Sequence, residues 1–361
     1  MDRSSTKLVK VGGFGKVKAV DIGGGSPIAV QTMYKDRLSF ADLENETLIR
    51  RIEALGSMGC GLLRFAVPDT QSAEVLGCLA AAVSTPLAAD IHFDYKLALR
   101  CMDFPVAKLR INPGNLGGRE RTRAVLEKAG NKNIPIRIGV NAGSLPLDLR
   151  GEADTAQTLV LAAERELAVF GEFGFNEYVV SMKASVIADT IRANRIFSSR
   201  NDAPLHLGVT EAGPLAGGVV KNTAALLTLL KEGIGDTIRV SLSDTMENEV
   251  IAGREILKAA SELNGQKGGG VNIVSCPRCG RYGFDTHDFT SRWLPRLYAL
   301  DKDITVAVMG CEVNGPQEAK HADIGITGAG DKVLLFRKGK IIRTIDAQRA
   351  DAAFEEELQK L

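Results

Sequence analysis

The sequence holds no uninterrupted apolar run of the about 18 or more residues that a bilayer-spanning helix needs, so no membrane span is expected. Its first ten residues are polar and basic with no apolar core, which argues against a secretory leader. An excess of one charge is missing as well. Lysine and arginine number 45 and the acids 44, and a nucleic-acid platform or polybasic membrane surface would need a clear bias. Cysteine is scarce, six in 361 residues, too few for a disulfide framework in a chain this long. A reducing cytoplasm is the simplest setting, and metal ligation is the expected use of a close cysteine pair. No Gly-x-Gly-x-x-Gly opens a first strand–helix turn, so no dinucleotide fingerprint is present.

What is present is regular alternation. With 45% hydrophobic residues the chain can build two packed cores. Short β-rich runs fall at residues 27–33, 62–67, 87–92, 107–112, 134–141, 177–183, 205–211 and 237–241. Amphipathic helical patterns follow them, for example at 43–55, 73–83, 119–128, 153–170, 219–231 and 247–263. Strand–helix alternation means parallel strands with right-handed crossovers, and eight such units predict a (β/α)8 TIM barrel; an open doubly wound sheet is the alternative. Gly23-Gly24-Gly25 precedes the first strand and is expected to close an N-terminal hairpin under the barrel. Residues 1–263 are therefore read as the barrel and the glycine cluster 264–270 as a linker. Residues 271–361 form a smaller α/β domain, with strands at 271–275, 304–309 and 324–327, a hairpin of 332–337 and 340–345, and a helix over 347–361.

The smaller domain carries Cys276-Pro277-Arg278-Cys279-Gly280 and Met309-Gly310-Cys311-Glu312-Val313-Asn314-Gly315-Pro316. Three cysteines are an incomplete set, because both a tetrahedral zinc site and a cubane iron–sulfur cluster take four ligands. His321 could complete a structural Cys3His zinc site. Glu318 could complete a cubane, and a weak oxygen ligand there would leave one iron able to exchange it. Glycine and proline beside both cysteine turns suit a backbone wrapped around a bulky cluster. Cys60, Cys78 and Cys101 lie in apolar patterns and read as small core residues.

Barrel chemistry sits where the strands end. Those ends carry Arg64, Asp90, His92, Arg110, Asn112, Arg137, Asn141, Lys183, Glu211, Arg239 and Ser241. Asp90/His92, Arg110/Asn112 and Arg239/Ser241 alternate, so each pair shares one face of its strand. A single arginine there would be read as a rim salt bridge. Five cations at one end predict an anionic pocket, and guanidinium forks match a diphosphate. Glu211 either balances that charge or transfers a proton.

Several stretches are familiar: Ala89-Asp90-Ile91-His92-Phe93-Asp94-Tyr95, Lys108-Leu109-Arg110-Ile111-Asn112-Pro113-Gly114-Asn115, residues 135–144, His206-Leu207-Gly208-Val209-Thr210-Glu211-Ala212-Gly213 and the two cysteine motifs. From about residue 23 to 330 the chain resembles the bacterial 4-hydroxy-3-methylbut-2-enyl diphosphate synthases of the methylerythritol phosphate route to isoprenoids. The resemblance implies a dihydropteroate-synthase-like barrel and a C-terminal domain like those of sulfite reductases. It implies a 4Fe–4S cluster on Cys276, Cys279, Cys311 and Glu318, reduced by flavodoxin or ferredoxin. The substrate implied is 2-C-methyl-D-erythritol 2,4-cyclodiphosphate, held by the cationic mouth, with Glu211 delivering a proton. Head-to-tail homodimers are implied too, in which the cluster domain of one copy caps the barrel of the other and Asn314 reaches the substrate. A zinc-stabilised barrel hydrolase or lyase acting on a phosphorylated sugar is the alternative. Two departures from the family pattern stand out. Gln317 replaces a usual glycine, which would strain a turn needing positive φ, and Tyr34-Lys35 alters the loop after the first strand.

Overall fold

The structure is a computed structural model and describes residues 5–44, 46–312 and 315–361. It divides into two compact units, Met1–Gly268 and Gly269–Leu361, with the division inside the glycine cluster.

In the first unit a small antiparallel hairpin, β1 (Val9–Val11) and β2 (Val20–Ile22), precedes the barrel. Val9, Val11, Val17 and Ile22 are buried against Leu62, Ala107 and Val179 near the starts of three barrel strands, so the hairpin plugs the barrel floor. Burying each such side chain contributes about 1.5–3 kcal/mol. Contrary to the expectation above, Gly23–Gly25 does not form the hairpin turn. The turn lies between β1 and β2, and the glycines follow β2, all at positive φ, as the chain bends into the barrel.

The barrel strands are β3 (Ala29–Met33), β4 (Cys60–Ala66), β5 (Leu87–Asp90), β6 (Lys108–Ile111), β7 (Ile136–Asn141), β8 (Tyr178–Lys183), β9 (His206–Leu207) and β10 (Thr237–Ile238). Every neighbouring pair is parallel, in the order β8-β7-β6-β5-β4-β3-β10-β9. A bridge between Val180 and Leu205 brings β8 to β9 and closes the ring. The TIM barrel expected from the alternation is thus observed. β9 and β10 have two residues each, shorter than expected, so Glu211 and Ser241 lie beyond the strand ends, Glu211 in a turn. Cys60 and Cys101 are buried, whereas Cys78 is exposed on the outer face of the helix Thr70–Ala82, contrary to the core reading. Among the described residues no helix is long and apolar enough to cross a membrane.

The second unit has one five-stranded sheet: β11 (Asn272–Ser275), β12 (Thr305–Met309), β13 (Ile324–Ala329), β14 (Lys332–Arg337) and β15 (Lys340–Asp346). β11, β12 and β13 are parallel, and β14 and β15 are antiparallel additions. The helices Thr286–Tyr298 and Ala350–Leu358 contribute Phe289, Trp293, Leu297 and Phe354 to its core. Trp293 and Phe354 meet edge to face at 4.8 Å, and the buried indole N–H donates to Asp351 at 2.7 Å.

Candidate functional site: a cation-lined barrel mouth and a three-thiol loop pair

The strand alternation converges inside the barrel. Arg64, Asp90, His92, Arg110, Arg137, Asn141, Lys183, Arg239 and Ser241 line one cavity of about 160 Å³, together with Met33, Val209 and Thr210. Nine residues proposed from the sequence therefore share one space. Asn112 is buried but does not line it; its side-chain oxygen faces Gly114 instead. Glu211 lines an adjoining depression that shares Asn141 and Thr210 with the cavity. Its φ of 53° is left-handed, a conformation that costs a non-glycine residue about 1 kcal/mol or more. Asn314 lies outside the described residues.

Two buried carboxylates organise part of the cationic ring. Asp90 lies 3.3 Å from Arg64 Nε and 3.0 Å from Arg110 Nη1. Burial pushes the Asp90 carboxyl up, but Arg64 and Arg110 outweigh it and bring its pKa down to about 2. His92 sits beside this pair, 3.2 Å from Arg110, and burial lowers its basicity. Glu249, fully buried on the helix Met246–Leu263, is the second anchor. It accepts from Thr32 Oγ1 at 2.6 Å, Lys35 Nζ at 2.5 Å, Arg239 Nη2 at 2.9 Å and the Leu242 N–H at 3.0 Å. The divergent Lys35 is thereby part of the support beneath the mouth.

Arg137 and Lys183 have no carboxylate partner among the described residues. Arg137 Nη1 donates to Ser181 Oγ at 2.6 Å, while its Nε and Nη2 are buried without a partner. Burial, then Arg64 and Arg110, make charging Arg137 costly; burial, then Arg137, does the same to Lys183. One step deeper, Lys108 Nζ and His206 Nε2 are also buried without partners. Burial depresses the basicity of both. Unpaired buried donors of one sign are costly unless an anion with several oxygens arrives. The cavity lining therefore has the chemistry to hold a polyanion.

In the second unit, Cys276 follows β11 and donates its N–H to Val308 O on β12 at 3.0 Å. Cys311 follows β12, so two thiols leave neighbouring parallel strands at the same end. All three cysteines are free; Cys279 is exposed and the other two are half-buried. A side chain at Gly310 would come within 3.8 Å of Cys276 Sγ. The short helix Gly315–Glu318 stands shortly after Cys311 in the chain, with Glu318 exposed. Gln317 lies in that helix without positive φ, so the strain expected from replacing glycine does not arise. Among the described residues no three Cys, His, Asp or Glu side chains converge in the way a single metal ion requires.

Residues 14–254 match the model of the GcpE TIM-barrel domain, and residues 272–360 match the GcpE protein C-terminal domain. The chain belongs to the GcpE family. A GcpE relative from Treponema pallidum (strain Nichols) is 52% identical, covering 97% of this chain and 91% of its own length. One from Treponema denticola is 49% identical, covering 98% of both chains, and one from Thermodesulfovibrio yellowstonii is 44% identical over 99% of both. All three are named 4-hydroxy-3-methylbut-2-en-1-yl diphosphate synthase (flavodoxin). Among solved structures, dihydropteroate synthase (FolP) from Thermus thermophilus is similar, with a TM-score of 0.51 and 15% identity over 72% of this chain and 99% of that one. That likeness concerns the fold alone, and it agrees with the barrel type the resemblance implied.

For this GcpE chain, sequence reasoning missed Glu249, Lys108 and His206. Lys108 was findable, since it stands two residues before Arg110 and shares its face of β6. Glu249 gave no signal, because an acid in a first helical turn reads as an ordinary dipole partner.

Proposed function

We propose that the chain reductively opens and dehydrates 2-C-methyl-D-erythritol 2,4-cyclodiphosphate to 4-hydroxy-3-methylbut-2-enyl diphosphate. The observation that carries this reading is the buried mouth in which Arg137 and Lys183 await an anion while Asp90 and Glu249 hold the other guanidinium groups in place. Two electrons and one proton enter, a ring C–O bond breaks to free the diphosphate end, and one hydroxyl leaves as water.

Arg64, Arg110, Arg137, Lys183 and Arg239 grip the diphosphate. His92, Asn141 and Ser241 orient the carbon skeleton from the same cavity wall, and Asn112 acts from behind it by shaping the loop at Gly114. Glu211, at the edge shared with Asn141 and Thr210, holds the proton that leaves with water. Its left-handed backbone supports a role that outweighs the local strain.

The donor set of the second unit fits a 4Fe–4S cluster. Three free thiols lie in two segments that follow adjacent parallel strands, and Gly310 of the second segment lies beside the Cys276 thiol of the first. Cys276, Cys279, Cys311 and Glu318 would hold it, and when bound it supplies electrons one at a time. Flavodoxin, part of the relatives' name, or a ferredoxin supplies them to the cluster. No thiol lines the barrel cavity among the described residues. A head-to-tail homodimer that brings the cluster unit of one copy to the mouth of its partner, with Asn314 reaching the substrate, meets that need.

Anaerobic purification followed by iron and sulfide analysis, then turnover of the cyclic diphosphate with reduced flavodoxin, tests this reading. Four irons and four sulfides per chain with formation of the linear diphosphate are expected. Stoichiometric zinc with no iron would favour the zinc-stabilised hydrolase or lyase instead.

A further inference from the structure

The second unit pairs many of its cations. Arg278, Arg292, Arg296, Arg337, Arg343 and Lys360 each meet a carboxylate. Among the described residues Arg281, Lys302, Lys332 and Arg349 form no ion pair, and neither do Lys320, Lys338 and Lys340, all three of which are exposed. These last three also lie together. The β14–β15 turn is a two-residue hairpin, Lys338-Gly339, with φ of 46° and 76°. Its tip folds onto the segment that follows Cys311. A side chain at Gly339 would come within 3.1 Å of Pro316 O and 3.3 Å of Lys320 Cβ, and the Lys338 N–H donates to Ala322 O at 2.8 Å. Pro316 belongs to the helix that ends at Glu318, and the Gly315 N–H donates to Cys311 O at 3.1 Å. The lysine patch is therefore built onto the same short segment as Cys311 and Glu318.

Two details set this patch apart from general surface charge. Such a turn favours asparagine or glycine at its first position, so lysine there costs about 1 kcal/mol. Ile341 and Ile342, next along β15, are 55% and 39% exposed, which places apolar surface beside the cations. Brief electron-transfer encounters use small interfaces of this kind, steered by opposite charge.

We propose that Lys320, Lys338 and Lys340, with Ile341 and Ile342, form the docking surface for an acidic flavoprotein electron donor. The proposal rests on the redox reading of the cysteine loops given above. The surface concentrates a donor with an acidic rim beside Cys311 and Glu318, and the exposed isoleucines take a small apolar contact once charge has aligned the pair. Lysine on an open sheet edge also discourages edge-to-edge pairing, but that role alone would leave electron delivery untouched.

The test uses full-length, cluster-loaded protein carrying Lys320→Gln, Lys338→Asn and Lys340→Gln together; Asn at 338 suits the turn. Turnover is driven in parallel by reduced flavodoxin and by reduced methyl viologen, a small donor that needs no docking surface. Flavodoxin affinity is measured separately by titration, without turnover. The expected result is a loss on the order of tenfold in kcat/KM for flavodoxin, mostly through KM. A matching loss of affinity and a flatter dependence on salt accompany it, with the methyl viologen rate unchanged. Unchanged flavodoxin affinity, or equal losses with both donors, would overturn the proposal. An unaltered protein inactive with methyl viologen would instead count against the reductase reading, while the affinity measurement still reports on the patch.

Discussion

Glu249 and Arg239 form a two-point ion pair, Nη2 to Oε1 at 2.9 Å and Nε to Oε2 at 3.3 Å, with the carboxylate fully buried. The same carboxylate also takes Thr32 from β3 and Lys35 from the loop beyond it. It ties β10 to β3 where only two residue pairs join the strands. One side chain thus secures a thin seam of the barrel and aims a guanidinium at the mouth.

Glu249→Gln keeps the shape but removes the charge that Arg239 and Lys35 share. Breaking a buried pair from one side costs about 3–5 kcal/mol. Urea denaturation should show a loss of that order, and KM for the cyclic diphosphate should rise because Arg239 is no longer held. Unchanged stability would show that Thr32 and Leu242 alone maintain the seam.

Arg137→Met removes a buried cation that has no carboxylate partner among the described residues. The guanidinium is held by Ser181, so an apolar side chain of similar length should leave the melting temperature equal or higher. Substrate affinity should nevertheless fall by at least about tenfold, since a charge-assisted contact is worth about 1.5–3 kcal/mol. A calorimetric titration with the cyclic diphosphate separates the two effects.

Glu166 is a buried acid outside the cavity that accepts the Gly114 N–H at 3.1 Å, just beyond Asn112. Burial pushes its pKa up to about 7 from an ordinary 4.5, only partly offset by that hydrogen bond. The acid is protonated in both states below pH 4.5. As pH rises toward 7 the unfolded chain ionises first, so stability falls, and above 7 the cost is constant. Glu166→Gln keeps an acceptor for Gly114 and should be more stable than the unaltered chain by up to about 3 kcal/mol above pH 7, with no difference near pH 4. Paired denaturation curves at the two pH values measure this.

Gln317→Gly tests the cysteine loop. Because Gln317 is helical, glycine relieves no strain and should loosen the turn by about 1 kcal/mol. Faster amide exchange over residues 315–319 is expected, and slower exchange would mean that the turn prefers glycine.

Much of this was readable in advance. Strand–helix alternation announced the barrel, because parallel strands with helical crossovers have few ways to close. The period of two put Asp90 with His92 and Arg239 with Ser241 on one face, and both pairs line the cavity, whereas of Arg110 and Asn112 only Arg110 does; nine of the proposed mouth residues share that space. The helix Thr286–Tyr298 was less legible, since Pro295 lies inside it and reads as a break. Packing of Phe289, Trp293 and Leu297 into the core outweighs that signal.

Local pattern settled which strands bring most of the mouth residues inward, the pairing of two cysteines in one turn, and the family to which the chain belongs. Folding in three dimensions decided which charges meet. Glu249 pairs with Lys35 across more than two hundred residues of chain, Asn112 turns away from the cavity, and Arg137 is left without a counterion among the described residues. The reason is physical: periodicity is a property of neighbours along the backbone, whereas the cost of burying a charge depends on groups that only the closed barrel brings within reach.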